Sequence, residues 1–193
     1  MNREKPNYTW YALYTKPNRE KGIVSNLQEN NIECYLPLTR TLKQWSDRKK
    51  WIEEPLFRGY VFAKVSYVEF FNVLNMNGVV YYVSFGGKPQ TIPDYQIENI
   101  KTFVKQRENE IVLTRENIGR GDMAEVLYGP LKGVHGEVVQ ICGQSRILIR
   151  IQSMGCSLYT NISKDEVRLL QTIGFNKRFG YSPTEQYIKK VEK

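Results

Sequence analysis

Cysteine and histidine are scarce in this chain. Cys34, Cys142 and Cys156 are widely spaced and odd in number, and His135 is the single histidine. Such usage excludes a disulfide framework and a Cys/His zinc site, and it leaves the cysteines as small apolar residues buried in strands. Long apolar runs are missing as well. The N-terminus, MNREKPNYTW, offers no secretory signal, and no uninterrupted apolar run approaches the length of a membrane span. A cytoplasmic protein without a membrane partner is expected. Nucleophilic catalysis has little to draw on with one histidine, which is expected to be exposed. Gly86-Gly87-Lys88 lacks the preceding glycine and the following Ser/Thr of a phosphate-binding loop. Glu53 and Glu54 point to opposite faces if they lie on a strand, so they do not converge. Neither an enzyme nor a cofactor or metal is expected.

What is present is apolar content of 41% and a net charge of +8, enough for a core and for a polyanionic partner. The charge is concentrated. Arg40, Lys43, Arg48, Lys49 and Lys50 face only Asp47 within 40–50, whereas 51–100 carries Arg58, Lys64 and Lys88 against five acids.

The first half alternates strand and helix signals. Tyr8 to Thr15 reads as a strand with Trp10, Ala12 and Tyr14 on one face and Tyr11 and Leu13 on the other. Ile23, Val24 and Leu27 then fall on one helical face. Extended segments follow over 33–45 and 48–65. Ser66 and Glu69 form a capping-box pattern that predicts a short helix with Val68, Phe71 and Leu74 inward. A strand over 79–85 ends at Gly86-Gly87, and Asp94 opens a helix striped by Ile97, Ile100 and Val104. The order β-α-β-β-α-β-α over residues 1–107 predicts an α+β fold, an antiparallel sheet with helices of split βαβ type. Residues 108–118, charged and anchored only by Ile111, Val112 and Leu113, read as a linker.

From Gly119 the pattern changes to short strands broken by glycine: 123–128, 134–142, 146–153, 156–163 and 167–170. That spacing predicts a small all-β barrel over 119–171. Gly129, Pro130, Gly133, Gly136, Gly143 and Gly155 all disfavour a helical alternative, at ~1 kcal/mol per glycine and ~3 for proline. Residues 172–193 form a basic tail, partly helical, opened by Ser182-Pro183-Thr184-Glu185.

The segment Gly121 to Val138, GDMAEVLYGPLKGVHGEV, resembles the KOW motif, found in SH3-like barrels of transcription and ribosomal proteins. Trp10-Tyr11-Ala12-Leu13-Tyr14-Thr15, Glu20, Tyr35-Leu36-Pro37 and Pro55-Leu56-Phe57-Arg58-Gly59-Tyr60-Val61-Phe62 resemble the NGN domain. Both in this order resemble the NusG family, over residues 8–170. The resemblance implies a transcription elongation and antitermination factor, a monomer. It implies a hydrophobic surface for the clamp helices of the RNA polymerase largest subunit at Trp10, Tyr11, Phe57 and Tyr60. It places the basic stretch in a hairpin facing non-template DNA, with Arg40, Lys43, Arg48, Lys49 and Lys50 neutralising phosphates while Trp45 and Trp51 stack on bases. Met154 stands where the family presents an aromatic to a ribosomal protein or a termination factor.

Two departures are notable: Arg58 replaces the usual proline, and Ala124 leaves core volume for Met123 or Leu127 to fill. The basic hairpin, the tail and Met154 favour a specialised, operon-specific paralogue of RfaH/UpxY type. A second reading is open, because Arg58 to Val65 half-matches the RNA-recognition signature. It is an RNA-binding or ribosome-associated protein stacking bases on Tyr60 and Phe62. The first reading expects Phe57→Ala or Tyr60→Ala to abolish polymerase association and leave the fold intact.

Overall fold

A computed structural model describes residues 6–45, 48–107, 111–116 and 118–170; the expected C-terminal tail and its helix lie outside them. The first half runs β1 (Thr9–Thr15), α1 (Glu20–Glu29), β2 (Glu33–Tyr35), β3 (Leu38–Gln44), β4 (Lys49–Pro55) and β5 (Tyr60–Val65). It continues with α2 (Phe70–Leu74), β6 (Val79–Tyr82), β7 (Ser84–Phe85), β8 (Lys88–Pro89), β9 (Thr91–Ile92) and α3 (Asp94–Arg107). The second half holds β10 (Val112–Thr114), β11 (Asp122–Val126), β12 (His135–Ile141), β13 (Gln144–Ile151), β14 (Cys156–Asn161) and β15 (Val167–Leu169).

The N-terminal sheet has the order β2-β5-β1-β6, all antiparallel, with β9 also paired to β1. Alternation along β1 and β5 gives it two apolar faces. Leu13, Val61, Ala63 and Val65 point to one side and pack with Ile23 and Leu27 of α1 and Val73 of α2. Trp10, Ala12 and Phe62 point to the other, where Ile97, Ile100 and Phe103 of α3 meet them. The helix α1 ends where Asn31 takes a left-handed φ of 58°, a conformation asparagine tolerates better than most residues.

The short helix departs from expectation. Ser66 and Glu69 make the predicted contact, with Ser66 N–H donating to the Glu69 carboxylate at 2.9 Å, but the helix begins only at Phe70. Its inward residues are Phe70, Val73 and the expected Leu74, while Val68 and Phe71 are 60% and 68% exposed. Five residues make too few turns for periodicity to fix the phase.

The C-terminal half is all-β, a six-stranded antiparallel sheet of order β10-β14-β13-β12-β11-β15. Strand β10 arises inside the stretch expected to be a linker: Val112 pairs with Tyr159 and Leu113 with Leu158, burying part of Ile111 and Leu113. Ala124 pairs with Gly136, and a Cβ at 136 would lie 3.0 Å from Ile147 Cδ1 and 2.7 Å from the Leu148 carbonyl. Glycine at 136 is needed for that approach.

Candidate functional site

The four residues expected on the docking face do not come together. Trp10 is 3% exposed, lying under α3 with the Lys101 Nζ 5.7 Å and the Lys64 Nζ 5.9 Å from its ring. Tyr11 points to the opposite side of the sheet, where its ring meets Phe70 and Tyr82 edge-on. A one-residue step along a strand reverses the side chain, so Trp10 and Tyr11 cannot share a face.

Phe57 and Tyr60 do share one. Phe57 is 2% exposed and packs edge-on against Phe62 at 5.6 Å. Tyr60 pairs with Tyr14 across β5 and β1, and Tyr14 pairs with Tyr81 of β6. The rings form a ladder: Tyr60 to Tyr14 edge-on at 5.3 Å, then Tyr14 to Tyr81 stacked at 4.9 Å. Tyr81 is 47% exposed. The sequence reading placed Tyr14 on the face of Trp10 and Ala12 but did not select it. Within the strand expected over 79–85, register puts Tyr81 rather than Tyr82 opposite Tyr14.

The turn that presents these rings is held from α1. Glu20, 7% exposed, accepts a hydrogen bond from Gly59 N–H at 2.8 Å. Gly59 has φ +80° and would bring a Cβ to 3.3 Å from the Tyr14 ring, so glycine fits this turn for both conformation and space. Arg58, at the usual proline position, donates to Glu54 at 2.7 Å and so ties the turn to the hairpin stem.

The C-terminal sheet meets this face. Leu56, Phe57, Arg58 and Tyr60 line one wall of a cleft of about 240 Å³ whose other wall is Leu113, Arg115, Met154 and Cys156. Met154, expected to face an outside partner, thus faces Phe57. Burial pushes the Cys156 thiol up to about 11, and burial raises the Tyr60 phenol against the opposing pull of Arg115. Beyond the cleft, α3 touches β12 and β13 directly. Gln96 Nε2 donates to the Arg150 carbonyl at 2.6 Å, and Asn99 Nδ2 donates to the His135 carbonyl at 2.9 Å. The expected apolar stripe at Ile97 and Ile100 is present, with Val104 half-buried. Sequence reading missed the adjacent stripe of Gln96, Asn99 and Phe103, where the only signal was Phe103 beside Val104.

The basic residues stand on the β3–β4 hairpin, a separate two-stranded ladder. Its register sets acids beside two of its cations: Arg40 Nη2 lies 3.3 Å from Glu53, and Lys43 pairs with Glu54. Lys43 first, then Arg58, holds the Glu54 carboxyl below its ordinary value. Arg48, Lys49 and Lys50 are exposed near the tip. Trp45 and Trp51 are 56% and 59% exposed, and Trp51 pairs with the half-exposed Leu42. Their rings are open to a partner rather than folded onto the stem.

Residues 8–101 match the family model described as transcription termination factor NusG. They form a NusG-family domain. That family consists of non-enzymatic transcription factors. A Thermotoga maritima NusG structure concerned with domain interaction is 20% identical, covering 85% of this chain and 98% of that one, with a TM-score of 0.44. An MjSpt4:Spt5 complex is 17% identical over 85% of this chain and 99% of that one, with a TM-score of 0.29. No helix among the described residues is long and apolar enough to cross a membrane.

Proposed function

We propose that this protein is a transcription elongation and antitermination factor of operon-specific type. It binds the clamp helices of the RNA polymerase largest subunit through an aromatic face on its NusG domain. The observation that carries this reading is the ladder Tyr60–Tyr14–Tyr81 running out from Phe57 on a family domain. An apolar face with phenol edges suits a helical partner, since each ring offers a large contact area and a polar rim. Binding that favours one conformation of polymerase is sufficient for the effect. The hairpin adds contacts to unpaired DNA through Lys49, Lys50, Trp45 and Trp51. Contact with a ribosomal protein or termination factor through Met154 requires the C-terminal sheet to swing away from Phe57.

The alternative based on base stacking at Phe62 has less support, because Phe62 is 0% exposed. The test is retention of purified core RNA polymerase by the wild-type protein and by a Tyr14→Ser, Tyr81→Ala variant at moderate salt. Retention by the wild type and its loss in the variant is expected; no retention by either protein sinks the proposal. Phe57→Ala is the poorer probe, because truncating so buried a ring costs ~3–5 kcal/mol of stability by itself.

A further inference from the structure

Among the described residues the basic hairpin shares no ladder with the N-terminal sheet. Strands β3 and β4 pair with each other, and at their base the Leu56 N–H donates to the Pro37 carbonyl at 2.8 Å. The direction of the hairpin is therefore set by side chains. We propose that Glu54 is a positioning residue that ties the hairpin to the turn at 57–60 through Arg58, so that a partner on the aromatic face and nucleic acid at the hairpin tip are bound as a pair. The inference rests on the function proposed above.

The register of the hairpin makes the tie possible. Thr39 lies opposite Glu54 and Lys43 opposite Lys50, so alternation puts Glu54 and Lys43 on one face of the stem. The Glu54 carboxylate accepts from both units: from Lys43 of the hairpin, and from Arg58 Nη2 of the turn at 2.7 Å. One carboxylate thus bridges two parts that no ladder joins. A further tie, from Lys21 Nζ of α1 to the Glu53 carbonyl, is exposed and long at 3.4 Å.

Beside the bridge, a cleft of about 360 Å³ separates Tyr14, Thr15 and Asn18 from Lys43 and Glu54. Contacts left unmade there allow the stem to lean, and the bridge opposes it. Tyr14 is also a rung of the aromatic ladder, so a partner on that face sits next to the stem.

Arg58 is not required by the turn itself. Tyr60 N–H donates to the Phe57 carbonyl at 3.1 Å, and Gly59 holds the third place at φ +80°, which gives a type II turn. Proline suits the second place of such a turn, so arginine there contributes a side chain rather than turn geometry. That side chain fixes the offset between the aromatic face and the hairpin tip. Two sites held at a matching offset bind a two-part target more tightly than either site alone, and a hairpin free to swing loses part of the gain.

The test uses the full chain with Glu54→Gln and Arg58→Pro made separately. Both open the bridge, but one removes an anion and the other a cation, and proline keeps the turn. Residual dipolar couplings report the direction of the hairpin. Binding is measured to core RNA polymerase alone, to single-stranded DNA alone, and to polymerase on a template with an unpaired bubble. In the wild type, hairpin and N-terminal sheet are expected to share one alignment, and in both variants the hairpin couplings shrink. Polymerase alone and DNA alone are bound nearly as by the wild type, while affinity for the bubble complex falls about fivefold in both variants. Arg58→Lys restores part of that loss. Opposite shifts in the two variants would mean simple charge attraction and overturn the positioning role, and unchanged couplings overturn the tie. Loosened hairpins with undiminished affinity for the bubble complex overturn the pairing of the two sites. If the hairpin loosens and no protein, wild type included, binds polymerase, the tie stands and the docking reading fails.

Discussion

The two faces of the N-terminal sheet are built by the same alternation and end differently. The face of Leu13, Val61 and Ala63 is closed by α1 and α2, with residues from this half of the chain alone. The face of Ala12 and Phe62 is closed by α3, and its cluster continues into the second sheet. Contacts made within a single family domain persist whatever the second sheet does. Contacts shared with another unit can be surrendered without unfolding either one. With the proposed function, the difference puts stability on one face and recognition on the other.

The largest expected effect breaks the private face. Leu13→Ala removes a 0%-exposed side chain and should cost ~2–5 kcal/mol, read as a lower urea midpoint for the whole N-terminal domain. An equal loss confined to the C-terminal sheet would contradict the division between the faces.

A smaller effect is expected in the second sheet, at Glu137. Burial raises this carboxyl, but hydrogen bonds from Arg150 and the Gly121 N–H outweigh it, and the group is held below its ordinary value. A carboxyl whose folded value is depressed contributes stability that is complete above its unfolded value, roughly 4.3, and disappears as pH falls through the folded value. Glu137→Gln should therefore cost ~1–3 kcal/mol near neutrality and flatten the decline below about pH 4. Denaturant titrations of the C-terminal sheet at several pH values check it; an unchanged acid limb would remove Glu137 from the account.

How much of this was legible in the sequence can be argued from particular residues. The alternation of β1, the Ile23/Leu27 face and the glycine-broken strands of the second half were readable because each repeats its signal over several residues. The phase of α2 was not, since the helix has five residues. Partners set by register were hidden too. Glu53 and Glu54 sit beside Arg40 and Lys43 only because β3 pairs with β4 at one particular offset. The sequence stated which side chains share a face of β1 but not which face another unit covers. Trp10 therefore read as surface, and the stripe of Gln96 and Asn99 on α3 was not singled out.

Tyr81→Ala comes next in size. It removes one ring stacked at the open end of the ladder, on a residue about half exposed to solvent. A stability loss of ~0.5–1.5 kcal/mol is expected, well below that of Leu13→Ala, together with a large loss of polymerase retention. Strong destabilisation would make Tyr81 a core residue and narrow the recognition face to the cleft.

The smallest expected effect on stability lies in the hairpin, which belongs to neither face. Arg40→Gln removes an exposed pair with Glu53 and should change stability by less than ~1 kcal/mol. Its value is as a control for DNA binding. Ion-paired cations are already partly neutralised, so Lys49→Gln and Lys50→Gln should each reduce the salt dependence of single-stranded DNA binding by about 0.7 in log–log slope. Arg40→Gln should reduce it less. Equal reductions at all three positions, measured by anisotropy across a salt series, would mean that the stem acids release their partners on binding. The hairpin would then present its full cationic charge only when DNA is bound.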